Sequence, residues 1–309
     1  MEENLMANER VIKNRIGATK NIRQITKAME AVAAVKMRKS EQAALSTRPY
    51  ALAALQILKN LSNKIETDLA LLSPLLAQRP IKKIALVVVT SDKGLAGAFN
   101  SNVLRRAEEF IKNAPADTEV QIISVGKKAK SYFEYINLKI LKQFDGVGDL
   151  AELHETEPIA KFLEQLFAEE KTAQVVFIFT NFLSVLKQEV LTRILLPFSE
   201  KTLEEIVRNT VPLRGRYSGI PNALGLTTDT LPYIFEPSPE QVLRQLLPHL
   251  FYVEVHQVIL EANASEHSSR MVAMKNAADN ARELIEELTL SYNKARQAKI
   301  TKELLEISK

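Results

Sequence analysis

The stretch MVAMKNAADNARELIEELTLSYNKA, Met271 to Ala295, decides how this chain is built. Apolar or small residues fall at Met271, Met274, Ala278, Ala281, Ile285, Leu288, Tyr292 and Ala295. Steps that alternate three and four trace the seam of a helix winding around another helix. The helical pattern extends from Pro239 to Ser308, without glycine and with Pro248 as its only interior proline. At about 1.5 Å per residue such a helix reaches roughly 105 Å. Helices that lie on an ordinary core usually stop within about 20 residues. This one needs a partner over its seam.

The other end of the chain supplies a candidate. A helix is predicted from about Asn8 to Lys64, and Ala18, Ile22, Ile25, Met29 and Val32 step by four and three. Ala28, Ala31, Ala33 and Ala34 here, and Ala273, Ala277 and Ala278 there, are small enough to let two helix axes approach closely. The two stretches are therefore expected to pair as an antiparallel coiled coil, because the middle of the chain returns its end to its beginning. Pro49 removes a backbone donor and is expected to bend the first helix.

From Lys82 the pattern changes. Ile84–Val89 is a continuous β-branched run of the kind buried in a parallel sheet. It ends at Thr90-Ser91-Asp92-Lys93-Gly94, after which Phe99–Asn113 reads as a helix. Val120–Val125, Leu138–Phe144 and Val175–Thr180 read as further strands, with helices at Lys127–Ile136 and Glu157–Lys171. Strands alternating with helices make the fold class α/β: a long antiparallel coiled coil of N- and C-terminal helices plus a central Rossmann-like α/β domain. The expected divisions are a coiled-coil helix at 1–64, a linker at 65–81, the α/β domain at 82–198, an irregular excursion at 199–237 and a second coiled-coil helix at 238–309. Ser238 is the candidate N-cap of the last helix, with Pro239 in its first turn.

Composition narrows the chemistry. The 309 residues contain no cysteine, which removes disulfides, thiolate catalysis and cysteine-ligated metals. No run approaches about 18 uninterrupted apolar residues, so no segment is expected to span a bilayer. The opening MEENLMANER lacks the basic start and apolar core of a signal peptide, and a cytoplasmic setting is expected. Net charge is only +4, yet Arg10, Lys13, Arg15, Lys20, Arg23, Lys27, Lys36, Arg38 and Lys39 face only Glu30 between residues 10 and 39. That strip would attract an acidic surface. No aromatic residue is interleaved with it, which favours an acidic protein over nucleic acid.

No catalytic constellation stands out. The turn Ser91-Asp92-Lys93-Gly94-Leu95-Ala96-Gly97 has two glycines but not the three-glycine spacing of a dinucleotide site, and no lysine followed by Ser/Thr as a phosphate loop needs. It reads as a structural turn or a protein contact. His154, His249, His256 and His267 include no i, i+4 pair with a nearby carboxylate, so no metal site is expected and the histidines are read as exposed or partner-facing. No cofactor is implied. A free-standing coiled-coil adaptor with or without nucleic-acid binding and an enzyme built on the α/β domain remain open at this level.

Four segments resemble one family. Ile22-Arg23-Gln24-Ile25-Thr26-Lys27-Ala28-Met29-Glu30 with Val32–Arg38, the central turn Ser91–Gly97, Ala264–Ala277, and Tyr292–Thr301 resemble signatures of the ATP synthase gamma subunit, in the expected order. The resemblance implies a rotor: a coiled-coil shaft inside a ring of alpha and beta subunits, and an α/β domain against epsilon and the membrane c-ring. It couples proton flow to ATP synthesis without catalysing it, at the cytoplasmic face of a bacterial membrane and without inserting into the bilayer. On this resemblance Lys20, Arg23, Lys27, Lys36 and Arg38 meet an acidic loop of beta. Met29, Arg270, Arg296, Gln297 and Thr301 lie at contacts coupling rotation to catalysis, and Tyr233 and Glu236 match a segment near the c-ring and epsilon. Family members often carry a shorter link where 200–231 stands. Photosynthetic relatives have a cysteine-bearing redox insert nearby, which a chain without cysteine cannot operate.

Overall fold

A computed structural model describes residues 2–62, 73–198 and 236–307. In chain order the elements are helix α1 (Glu2–Ser62), a 3-10 turn (Pro74–Leu76), β1 (Lys83–Val89), α2 (Phe99–Lys112), β2 (Glu119–Val125), α3 (Lys127–Tyr135), β3 (Ile140–Phe144), α4 (Leu153–Ala168), β4 (Gln174–Phe182), β5 (Gln188–Leu196) and α5 (Pro239–Ile307). The excursion expected at 199–237 lies almost wholly outside the described residues, as does Tyr233. α5 starts where its cap signal lies, with the Ser238 hydroxyl oxygen accepting from Gln241 N at 3.3 Å.

The chain forms two compact units, Met1–Val35 with Arg270–Lys309, and Lys36–Ser269. The division falls inside both long helices rather than at their ends. Residues 36–62 of α1 and 239–269 of α5, expected as coil, thus belong to the unit that contains the sheet.

In that unit the sheet has the order β3-β2-β1-β4-β5. β1 pairs in parallel with β2 and β4, β2 with β3, and β4 pairs antiparallel with β5. β1 is buried on both faces, which is why it reads as an unbroken apolar run. Ala85, Val87 and Val89 face one core with Ile159, Leu163 and Phe167 of α4 and Leu247, Phe251, Val255 and Ile259 of α5. Ile84, Leu86 and Val88 face the other, with Val103, Leu104 and Ala107 of α2 and Ala129 and Phe133 of α3. Each such side chain contributes about 1.5–3 kcal/mol by leaving water. The first half of α5 is therefore a core helix of the sheet-bearing unit.

β5 was not expected. It follows β4 through a tight turn in which Ser184 and Lys187 exchange backbone bonds of 2.9 and 3.2 Å. No Gly or Asn-Gly signal marks that turn, and Gln188, Glu189 and Arg193 disguise the strand. α4 begins at Leu153 rather than Glu157 because the Glu155 carboxylate reaches back, accepting from Glu152 N at 2.8 Å and Gly148 N at 3.1 Å.

The other unit is the antiparallel coiled coil. On α5 the expected seam holds: Met274, Ala278 and Ala281 are buried, and Met271, Ile285, Leu288, Tyr292 and Ala295 are half-buried. On α1 the register is one residue off. Ile22, Ile25 and Val32, expected in the seam, are 54%, 60% and 55% exposed. The inward stripe is Ile12, Ile16, Thr19, Thr26, Glu30 and Ala33. The stripe mixes small with larger side chains, and Ile22, Ile25 and Val32 lie outside it.

Candidate functional site

The turn after β1 directs its polar groups inward. The Asp92 carboxylate accepts from Lys127 N at 2.9 Å and from Gly146 N at 3.0 Å, so it closes the start of α3. Thr90 Oγ1 accepts from Ala129 N at 2.8 Å, and Ser91 O accepts from Lys128 N at 3.1 Å. All three leading amides of α3 are thereby satisfied by residues 90–92. Asn100 of α2 folds back in turn, its Oδ1 accepting from Ser91 N at 3.0 Å. Gly126 is required by this packing: its φ is +91°, and a Cβ would lie 2.1 Å from Thr90 O. At Gly94, by contrast, a Cβ would meet nothing closer than 3.9 Å. The turn is a fastening between β1, β2 and α3 rather than a phosphate cradle.

The coiled-coil unit carries most of the residues expected at partner contacts. Lys20, Arg23 and Lys27 are exposed on α1 and Met29 is half-buried beside them. Lys27 also pairs with Glu30 at 2.9 Å. The same helix exposes Val11, Ile22, Ile25, Val32 and Val35. Ile22, Ile25 and Val32, expected inside, form an outward apolar row instead, on a different side of α1 from Lys20, Arg23 and Lys27. Exposed apolar rows of this kind mark surfaces covered in an assembly. On α5, Arg296, Gln297 and Thr301 are exposed, and the Thr301 hydroxyl donates to Gln297 O at 2.9 Å. Arg270, expected at a contact coupling rotation to catalysis, is buried.

In the sheet-bearing unit, Arg38 and Glu236 are exposed. Lys36 is not a free member of the basic strip: its ammonium is hydrogen-bonded to the Asp149 carboxylate, a partner 113 residues away that no local pattern announces. Burial raises the Asp149 carboxyl, but the bond from Lys36 and the neighbouring His267 together bring it below its ordinary value. His267 is itself buried, with Nε2 3.3 Å from Asp149 Oδ1, so it is not the exposed histidine expected. His256 is also half-buried, with Nδ1 3.0 Å from the Thr156 hydroxyl, and burial pushes its imidazole down. Among the described residues no group of three or more His, Asp or Glu is placed to hold a metal ion. No described helix is long and apolar enough to cross a membrane.

A family model described as ATP synthase matches residues 8–309. The ATP synthase gamma chain of Gloeothece citriformis is 38% identical over 309 residues, covering 98% of each chain. That of Thermosynechococcus vestitus is 39% identical over 311 residues, again covering 98% of each. That of Moorella thermoacetica is 36% identical, covering 98% of this chain and 97% of its own. Among solved structures, the rotor of the Euglena gracilis mitochondrial ATP synthase superposes with a TM-score of 0.60 at 17% identity, over 95% of this chain and 99% of that one. A chain of the Tetrahymena thermophila mitochondrial ATP synthase central stalk and c-ring gives 0.52 at 23% identity, over 82% and 99%. These two likenesses establish the shared fold.

Proposed function

The chain belongs to the ATP synthase gamma-chain family, and we propose that it is the rotating central stalk of a bacterial enzyme, coupling proton flow to ATP synthesis without catalysing the reaction itself. Its partners in this reading are the alpha and beta subunits around the coiled coil, and epsilon and the c-ring at the sheet-bearing unit. It works as a peripheral subunit at the cytoplasmic face of the membrane. The single observation that carries the reading is the outward row of exposed Ile22, Ile25, Val32 and Val35 on α1; the exposed Lys20, Arg23 and Lys27 lie on another side of the same helix. An isolated coiled coil has no reason to keep that row wet. A shaft inside a protein sleeve does, because the sleeve covers it, and the cations on the other side make the helix asymmetric towards that sleeve.

The double variant Ile22→Asp/Ile25→Asp tests this. Both side chains are exposed, so helix content and stability of the free chain should stay within about 0.5 kcal/mol. Assembly with alpha and beta should be lost, because carboxylates would be desolvated against the sleeve. Unimpaired assembly with normal ATP-driven rotation would refute the proposed contact.

The non-catalytic reading has its own check. With the leading amides of α3 already occupied by residues 90–92, titration of the purified chain with Mg-ATP in a calorimeter should give no heat of binding. No ATP hydrolysis should accompany it. Saturable micromolar binding would contradict the reading.

A further inference from the structure

Gly148 and Asp149, in the loop between β3 and α4, receive hydrogen-bond donors from both long helices. From α1, Lys36 reaches the Asp149 carboxylate and the Ser40 hydroxyl donates to Asp149 O at 3.0 Å. From α5, Asn263 Nδ2 donates to Gly148 O at 3.0 Å and lies 3.3 Å from Asp149 O, while His267 Nε2 lies 3.3 Å from Asp149 Oδ1. The loop cannot easily yield, since Glu155 grips Gly148 N and Glu152 N. Ser40 and His267 are fully or almost fully buried. Lys36 is the first residue of the sheet-bearing unit, and His267 lies two residues before its last, Ser269.

We infer that Asp149 is a torsional pin, a positioning residue that locks α1 and α5 to the sheet at one point so that twist is not lost between helices and domain. Packing alone resists separation of a helix from a sheet, but a cylinder seated in an apolar groove can roll or slide at little cost. Directional bonds to a single loop oppose that motion, and here they come from two helices at once. The inference rests on the rotor reading for its purpose but not for its geometry.

The test uses Asp149→Asn, which keeps shape and the carbonyl bonds, and Asn263→Leu, which removes the α5 anchor independently. In the free chain, amide exchange at residues 36–44 should quicken roughly ten- to hundredfold in Asp149→Asn, the loss expected from one charge-assisted bond. Exchange at residues 263–269 should quicken in Asn263→Leu, with the β1 amides unchanged in both. In the assembled enzyme, protons pumped per ATP hydrolysed should fall while hydrolysis persists. Wild-type exchange at these segments would overturn the pin whatever the enzyme does. Quickened exchange with unchanged pumping would overturn its role in transmission. Failure of the wild-type chain to assemble with alpha and beta would instead remove the rotor reading, leaving the exchange result to decide whether the clasp exists.

Discussion

Replacing Arg193 with methionine should cost the sheet-bearing unit about 3–5 kcal/mol at pH 8, the usual result of removing one partner from a buried ion pair. Arg193 lies on β5 with 1% of its side chain exposed, its guanidinium 4.9 Å above the Phe179 ring and 3.9 Å from a Glu261 oxygen. Glu254 is fully buried one element away on α5, and neither of its carboxylate oxygens has a hydrogen-bond partner among the described residues. Two acids share one base, so both cannot ionise cheaply. Burial raises the Glu254 carboxyl from 4.5 to about 7, Arg193 partly opposes that, and Glu261 adds to it.

The direction with pH follows. Between 4.5 and about 7 the folded chain holds this proton and the unfolded chain does not, so its stabilising effect is full below 4.5 and is lost as pH rises through 7. That interval corresponds to about 3 kcal/mol. Glu254→Gln, neutral at every pH, should abolish the slope and leave the protein more stable than wild type at pH 8. In Arg193→Met the positive charge that opposes the cost of an ionised Glu254 is gone, so the loss should be larger at pH 8 than at pH 5, where Glu254 holds its proton. Urea unfolding of the three proteins at both pH values measures this. A loss below about 1 kcal/mol at pH 8, or one indifferent to pH, would mean that the cluster is solvated.

This cluster was legible in part. Leu243, Leu247, Leu250, Glu254, Val258, Glu261 and Ser265 form one buried stripe at steps of three and four, and two acids in such a stripe signal an inward charge. Their counter-charge was hidden, because β5 lacks the turn and alternation that mark a strand. The bond from Lys36 was not legible for a similar reason: nothing local distinguishes a lysine facing solvent from one hydrogen-bonded to Asp149. The parallel strands and both long helices were plain because periodicity is a local property. The register of α1 was not, since counting apolar residues favours the larger ones, and here Ile22, Ile25 and Val32 face outward.

That register now sharpens the consequence of filling the seam. Ala278 and Ala281 are buried on α5, and Thr19 and Ala33 are buried on α1. Ala278→Leu/Ala281→Leu forces volume into the buried seam, and overpacking costs about 1–3 kcal/mol at each site. In the free chain the helices can splay and recover part of this, so the double variant should fold with its helix content kept and its melting temperature lowered. Inside a sleeve of alpha and beta that relief is blocked, because a thicker shaft must still pass. Assembly should fail, or the assembled enzyme should turn slowly at full nucleotide occupancy. Ala28→Leu provides the contrast within α1, since Ala28 is exposed and its replacement leaves the seam untouched. If the seam variant assembled and synthesised ATP at the wild-type rate, the close approach of the helices would have to lie elsewhere.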